Sequence, residues 1–113
     1  EDEARFQKLK APFFGITFTD GTIQIRVLEN VQEYIEEGQA LHHCVFTNEY
    51  HLKEKSLILS ARIEGKRVET IEVSLETMQV IQCRGLQNKN TEYHERIIEL
   101  VHQNMKQIQS RVA

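Results

Sequence analysis

The sequence predicts an α+β domain, in which an antiparallel β-hairpin and a three-stranded meander carry helices packed on one face, in the order (α)ββαβββα. Three observations predict it. Two apolar runs of period two flank Asp20-Gly21. Three further strand-like runs lie between residues 56 and 84, separated by short polar turns. Tyr93, Ile97, Leu100, Val101, Met105 and Ile108 then recur at helical spacing.

Taken in order, residues 2–10 read as a short amphipathic helix with Ala4, Phe6 and Leu9 as its apolar members. Phe14, Ile16 and Phe18 alternate with polar or small residues, as do Ile23, Ile25 and Val27. A two-residue Asp20-Gly21 loop would pair Phe18 with Ile23, Ile16 with Ile25 and Phe14 with Val27, placing all six on one face. Asn30 with Glu33 is a capping-box pattern that starts a short helix turning Val31, Tyr34 and Ile35 to the core. Gly38 is placed to end that helix as its left-handed residue. Gln39-Ala40-Leu41-His42-His43-Cys44-Val45 is then the helix exit, anchored by Leu41 and Val45, and the polar residues 46–55 form a loop.

The meander spans about 56–63, 67–75 and 78–84. A three-residue turn at Glu64-Gly65-Lys66 sets Ile63 opposite Arg67, Leu59 opposite Ile71 and Leu57 opposite Val73, which keeps the apolar face whole. A two-residue turn alone would spoil it. An odd loop around Glu76 would bring Ile81 beside Ile71 and Val73. The last helix spans about 91–111, capped by Asn90 or Thr91 with Glu92 and Glu95 in its first turn. His94 and His102 are expected to face solvent on it.

The chain has 113 residues, the size of one domain, 1–113, and begins at Glu1, which suggests the C-terminal part of a longer protein. A net charge of -3 argues against a general nucleic-acid coat while leaving room for a local basic patch. No apolar run approaches the roughly 18 residues of a membrane span, so no membrane partner is expected. Two cysteines make no disulfide framework, and the cytoplasm is the expected compartment.

If Leu57, Leu59, Ile71, Val73 and Ile81 face the helices, then Ser60, Arg62, Thr70, Glu72, Gln82 and Arg84 face the other way. A solvated face with weak cross-strand ion pairs is one reading. The other is the floor of a polar pocket in which Arg62 and Arg84 grip phosphate or carboxylate. Arg84-Gly85 at the strand end permits a tight turn and close approach by a ligand, or serves with Asn88 an ordinary turn. His42, His43 and Cys44 are consecutive, and neighbours in sequence rarely all point at one ion; His43 or Cys44 with His51 and Cys83 could be assembled but nothing in the spacing enforces it, so no metal or cofactor is expected. Cys83 reads as a small buried hydrophobe. No local signature supports a Cys–His nucleophilic pair at Cys44. One of the two histidines is expected to be buried, the other to lie over the sheet.

The ordered set "EEGQALHHCV", Tyr50, "SLILSARI", "VETIEV" and "IQCRGLQN", over about residues 28–110, resembles the PcfJ-like family of conjugative plasmids, integrative elements and phages. The family pattern is G-x-x-L-x-H-C-V, a downstream Tyr, an Arg in a strand, T-x-E, then Q-x-R-G-x-x-N. It falls on Gly38, Leu41, His43, Cys44, Val45, Tyr50, Arg62, Thr70, Glu72, Gln82, Arg84, Gly85 and Asn88. The resemblance implies a domain of a larger mobile-element protein, with nucleic acid or a protein of that machinery as partner, and carries no activity over. It assigns His43 rather than His42 to the site. The expected site therefore has His43, Glu72 and Arg84 as its chemical residues, with Tyr50, Arg62, Thr70, Gln82, Gly85 and Asn88 binding. On this expectation His43 exchanges protons and Glu72 orients a histidine or water. The reading points to a phosphate-bearing ligand such as nucleic acid; the rivals are a non-enzymatic binding module and a structural polar network.

Overall fold

The structure is a computed structural model that describes residues 2–44 and 49–112. Its elements are α1 (Asp2–Lys10), β1 (Thr17–Thr19), β2 (Ile23–Val27), α2 (Val31–Leu41), β3 (Ser56–Ile63), β4 (Lys66–Ser74), β5 (Val80–Arg84), α3 (His94–Gln103) and α4 (Met105–Gln109). The strands form one antiparallel sheet in the order β1-β2-β3-β4-β5. The α+β class and the order of elements stand as read.

The helices, however, occupy both faces of the sheet. Ile97, Leu100 and Val101 of α3 and Ile108 of α4 pack with Ile25, Leu57, Leu59, Ile71 and Val73 in the main core. Phe6 of α1 and Tyr34 of α2 pack with Leu28 and Ile58 on the opposite face. The hydrophobic pattern of α2 explains this. Tyr34, Glu37 and Leu41 lie on one stripe and are buried, so α2 has its own face to cover, and Ile58 supplies the sheet side of that contact. Period two divides the strand residues into two faces correctly, but the second face is roofed, not open.

The turns differ from expectation, each for its own reason. At the first hairpin the loop is Gly21-Thr22, and Phe18 opposes Ile25, with Thr19 opposite Gln24. The Asp20 carboxylate accepts from the N–H of Thr22 and Ile23 at 2.9 and 2.8 Å, which holds the loop one residue further along. The pairing moves by two residues, so the apolar face survives. Phe14 falls outside β1 and is half-buried, and Phe13 is buried in the core. In the β3–β4 turn the loop is two residues, Glu64 and Gly65, both at positive φ, and Ile63 opposes Lys66. An extra residue, Val68, then bulges from β4 between Arg67 and Glu69 and restores Leu59 opposite Ile71 and Leu57 opposite Val73. A second bulge makes Ile81 the extra residue of β5. Ile81 is 54% exposed, and Val80 takes the place opposite Val73.

The helix after Asn30 is capped as predicted, the side chain accepting from Glu33 N at 2.9 Å, while Glu33 reaches back to Glu29 N at 2.7 Å. It does not end at Gly38. The helix runs to Leu41, and His42 is the left-handed residue (φ 53°, ψ 48°). Gly38 is needed for another reason: a Cβ there would stand 2.9 Å from the His43 carbonyl oxygen, where the chain folds back. The C-terminal helix is shorter than expected and breaks at Asn104, whose side-chain amide donates to Leu100 O at 2.9 Å.

Candidate functional site

Helix α2 ends above the middle of β4, and that placement makes a cleft. The cleft measures about 170 Å³ and is lined by His43, Cys44, Tyr50, Ile58, Thr70, Glu72, Gln82, Arg84 and Asn88. Its floor is the second face of β4 and β5, where Thr70 opposes Arg84 and Glu72 opposes Gln82. Its wall is the exit of α2 together with the 3-10 turn Tyr50–Leu52.

His43 Nε2 lies 2.8 Å from Thr70 Oγ1. The Thr70 hydroxyl in turn donates to Glu37, a fully buried carboxylate of α2. Glu37 also accepts from Ser60 at 2.9 Å and from Arg67 Nη1 at 2.5 Å, while Arg67 Nη2 reaches Glu36 at 3.2 Å. His43 Nδ1 is buried and has no hydrogen-bond partner among the described residues. Burial pushes the His43 imidazole below its usual value, against the opposing pull of the Glu37 charge and of its own backbone.

A second network lies at the other end of the cleft. Glu72 accepts from Ser56 at 2.6 Å and from Gln82 at 2.8 Å, and the Gln82 amide also donates to the Tyr50 hydroxyl at 3.1 Å. The Lys53 ammonium sits 3.9 Å from the centre of the Tyr50 ring. Beneath this network Lys10 is buried, donating to the carbonyls of Lys53 and Ser56. Burial lowers its amine to about 8, against the charges of Glu54 and Glu72.

Of the residues singled out in the sequence, His43, Tyr50, Thr70, Glu72, Gln82, Arg84 and Asn88 meet in this cleft. Arg62 does not line it: its Nε donates to Ser60 at 3.1 Å, and its charged neighbours are Arg67, Arg26, Glu37 and Glu33. Gly85 is outside as well. A Cβ there would meet Thr91 Cγ2 at 2.7 Å and the carbonyls of Lys89 and Val68 at 2.9 Å, so the close approach is by its own chain. Glu72 accepts from Ser56 and Gln82; the carboxylate behind His43 is Glu37, through Thr70. His42 is exposed and His43 half-buried. Val45 lies outside the described residues.

Sequence reasoning passed over Glu37, Arg67, Lys10 and Glu69. Glu37 was signalled by its place between Tyr34 and Leu41 on the buried stripe of α2. Glu69 was signalled by sharing the parity of Ile71 and Val73 in β4. It is fully buried, and accepts from Cys83 Sγ at 2.9 Å, from Thr91 N and Oγ1 at 2.8 and 2.7 Å, and contacts His94 Nδ1 at 2.8 Å. Cys83 is thus buried but also a donor, and His94 faces Glu69, not solvent. The ligand atoms of Glu69, Cys83 and His94 lie within 4.8 Å of one another, the group of described residues best arranged to hold a metal ion. Burial and the Glu69 carboxylate push the Cys83 thiol up, which keeps it protonated, and the 2.8–2.9 Å spacings are those of a hydrogen-bonded hub.

The family model described as PcfJ-like protein matches residues 1–98. The chain belongs to the PcfJ-like family. The match takes in α1 through the first turn of α3, and so every residue of the cleft in this PcfJ-like chain. No curated protein and no solved structure matches it. No helix among the described residues is long and apolar enough to cross a membrane.

Proposed function

We propose that the cleft binds a phosphate-bearing ligand, nucleic acid foremost, with Arg84 holding the phosphate and His43 exchanging a proton with the bound group. The domain would serve the cytoplasmic machinery of a mobile genetic element as the C-terminal part of a longer protein. The observation that carries this reading is the junction of an exposed guanidinium with a half-buried imidazole in one cleft. Arg84 donates one N–H to the Cys83 carbonyl at 3.2 Å and has no other partner among the described residues, so its fork is free for an oxyanion. The Gln82 carbonyl and the Asn88 amide add neutral polar groups able to orient a sugar or base edge.

Fluorescence anisotropy with labelled single-stranded oligonucleotides, competed by inorganic phosphate, tests the reading. Arg84→Ala is expected to weaken binding about tenfold or more, since a charge-assisted contact contributes about 1.5–3 kcal/mol. Cleavage of the same oligonucleotides lost in His43→Ala, with binding retained, would make the domain an enzyme. Binding unaffected by Arg84→Ala, or absent for every phosphate-bearing probe, would overturn the assignment.

A further inference from the structure

We propose that Glu37 and Thr70 are positioning residues that hold His43 as its Nε2–H tautomer, leaving Nδ1, which is buried and has no partner among the described residues, as the unprotonated ring nitrogen. The inference deepens the proposed use of the cleft and rests on that reading for its functional meaning, although the proton arrangement stands on geometry alone.

The argument follows the protons. Glu37 is fully buried, and its Oε1 accepts from Arg67 at 2.5 Å and from Ser60 at 2.9 Å. A carboxylate paired this closely with a guanidinium is acceptor-only. The other oxygen, Oε2, therefore takes the single hydroxyl proton of Thr70. Thr70 Oγ1 has only lone pairs left for its second neighbour, His43 Nε2 at 2.8 Å, so the ring must present N–H there. Burial disfavours a second ring proton. The chain Arg67–Glu37–Thr70–His43 thus sets the direction of each bond, and none of its members except His43 need touch a ligand.

The test is nitrogen NMR of the protein with ¹⁵N-labelled histidine at pH 7, which tells a protonated ring nitrogen from a bare one. The wild type is expected to show His43 with Nε2 protonated and Nδ1 bare. Thr70→Ser should keep that state. Thr70→Val should lose the bias toward it. Glu37→Gln should reverse it: the amide NH₂ would donate to Thr70, which then turns its own proton toward Nε2 and moves the ring proton to Nδ1. A wild-type His43 carrying its proton on Nδ1, or on both nitrogens, overturns the proposal, as does a folded Glu37→Gln with the tautomer unchanged. Should Glu37→Gln fail to fold, the wild type and the Thr70 pair decide. Loss of oligonucleotide binding to the wild type with the Nε2–H tautomer observed would refute the ligand and leave the positioning role intact.

Discussion

Glu69 accepts hydrogen bonds from Cys83 and Thr91 and faces His94 in the layer between the sheet and α3, so its removal strands several buried groups at once. Glu69→Ala is expected to destabilise the fold by about 3 kcal/mol, measured by denaturant unfolding, because unpaired buried donors keep their desolvation cost. Acid should act at two points. Burial alone would raise the Glu69 carboxyl, but the bonds from Cys83, Thr91 and His94 outweigh it and hold it below its usual 4.5. Its stabilisation is therefore present above 4.5 and lost as pH falls through the folded value. His43 is held below its usual 6.5, so the unfolded chain takes up the proton first. Stability should decline as pH drops below 6.5 and level off below the folded value, and a pH series on His43→Gln should lack that part of the decline. Period two placed Thr70, Glu72, Gln82 and Arg84 on one face because a strand's side chains alternate whatever the loops do. Lys10 was illegible: a lysine at the end of a weakly amphipathic helix reads as solvated until Lys53 and Ser56 turn their carbonyls toward it.

At the scale of elements, α2 and its exit decide where His43 stands. Gly38→Ala sets two effects against each other. Alanine gains about 1 kcal/mol of helix propensity over glycine. The new Cβ would meet the His43 carbonyl at 2.9 Å, a backbone atom that must move. Overpacking of this kind costs about 1–3 kcal/mol, so net destabilisation and a displaced His43 are expected, read by melting temperature and by the His43 ring signals. The helix start at Asn30 was legible because its cap is local chemistry, whereas the helix end was misplaced because Gly38 sits one turn inside it, making room for the His43 carbonyl and accepting from His43 N, while His42 takes the left-handed conformation. The bulges at Val68 and Ile81 were illegible for a related reason. Burial fixed which residues face each other in the middle of the strands, but either a longer loop or a bulge satisfies that condition. Asp20 illustrates the local case: its backbone bonds to Ile23 and Thr22, with Arg96, lower its carboxyl to about 2. Asp20→Ala should loosen the first hairpin at a cost of about 1 kcal/mol.

For the whole molecule, the arrangement that matters is one sheet with a helix layer on each face. The α3–α4 side is the larger apolar core. The α1–α2 side has a smaller core around Phe6, Leu28, Tyr34 and Ile58, and beside it the sheet carries polar groups that α2 only partly covers. A cleft forms where that second layer stops, with His43, Cys44 and Tyr50 standing over the polar groups of β4 and β5. With a net charge of -3, the molecule as a whole does not attract polyanions, so binding should depend on the cleft and show a shallow salt dependence rather than that of a basic coat. The most direct measurement is an amide-resolved NMR titration of the ¹⁵N-labelled domain with a phosphorylated oligonucleotide. The account predicts that the largest shifts fall on His43, Thr70, Gln82, Arg84 and Asn88 and that Arg84→Ala needs about tenfold more ligand or beyond to reach them. Shifts confined to the α3–α4 face, or none at saturating ligand, would contradict it.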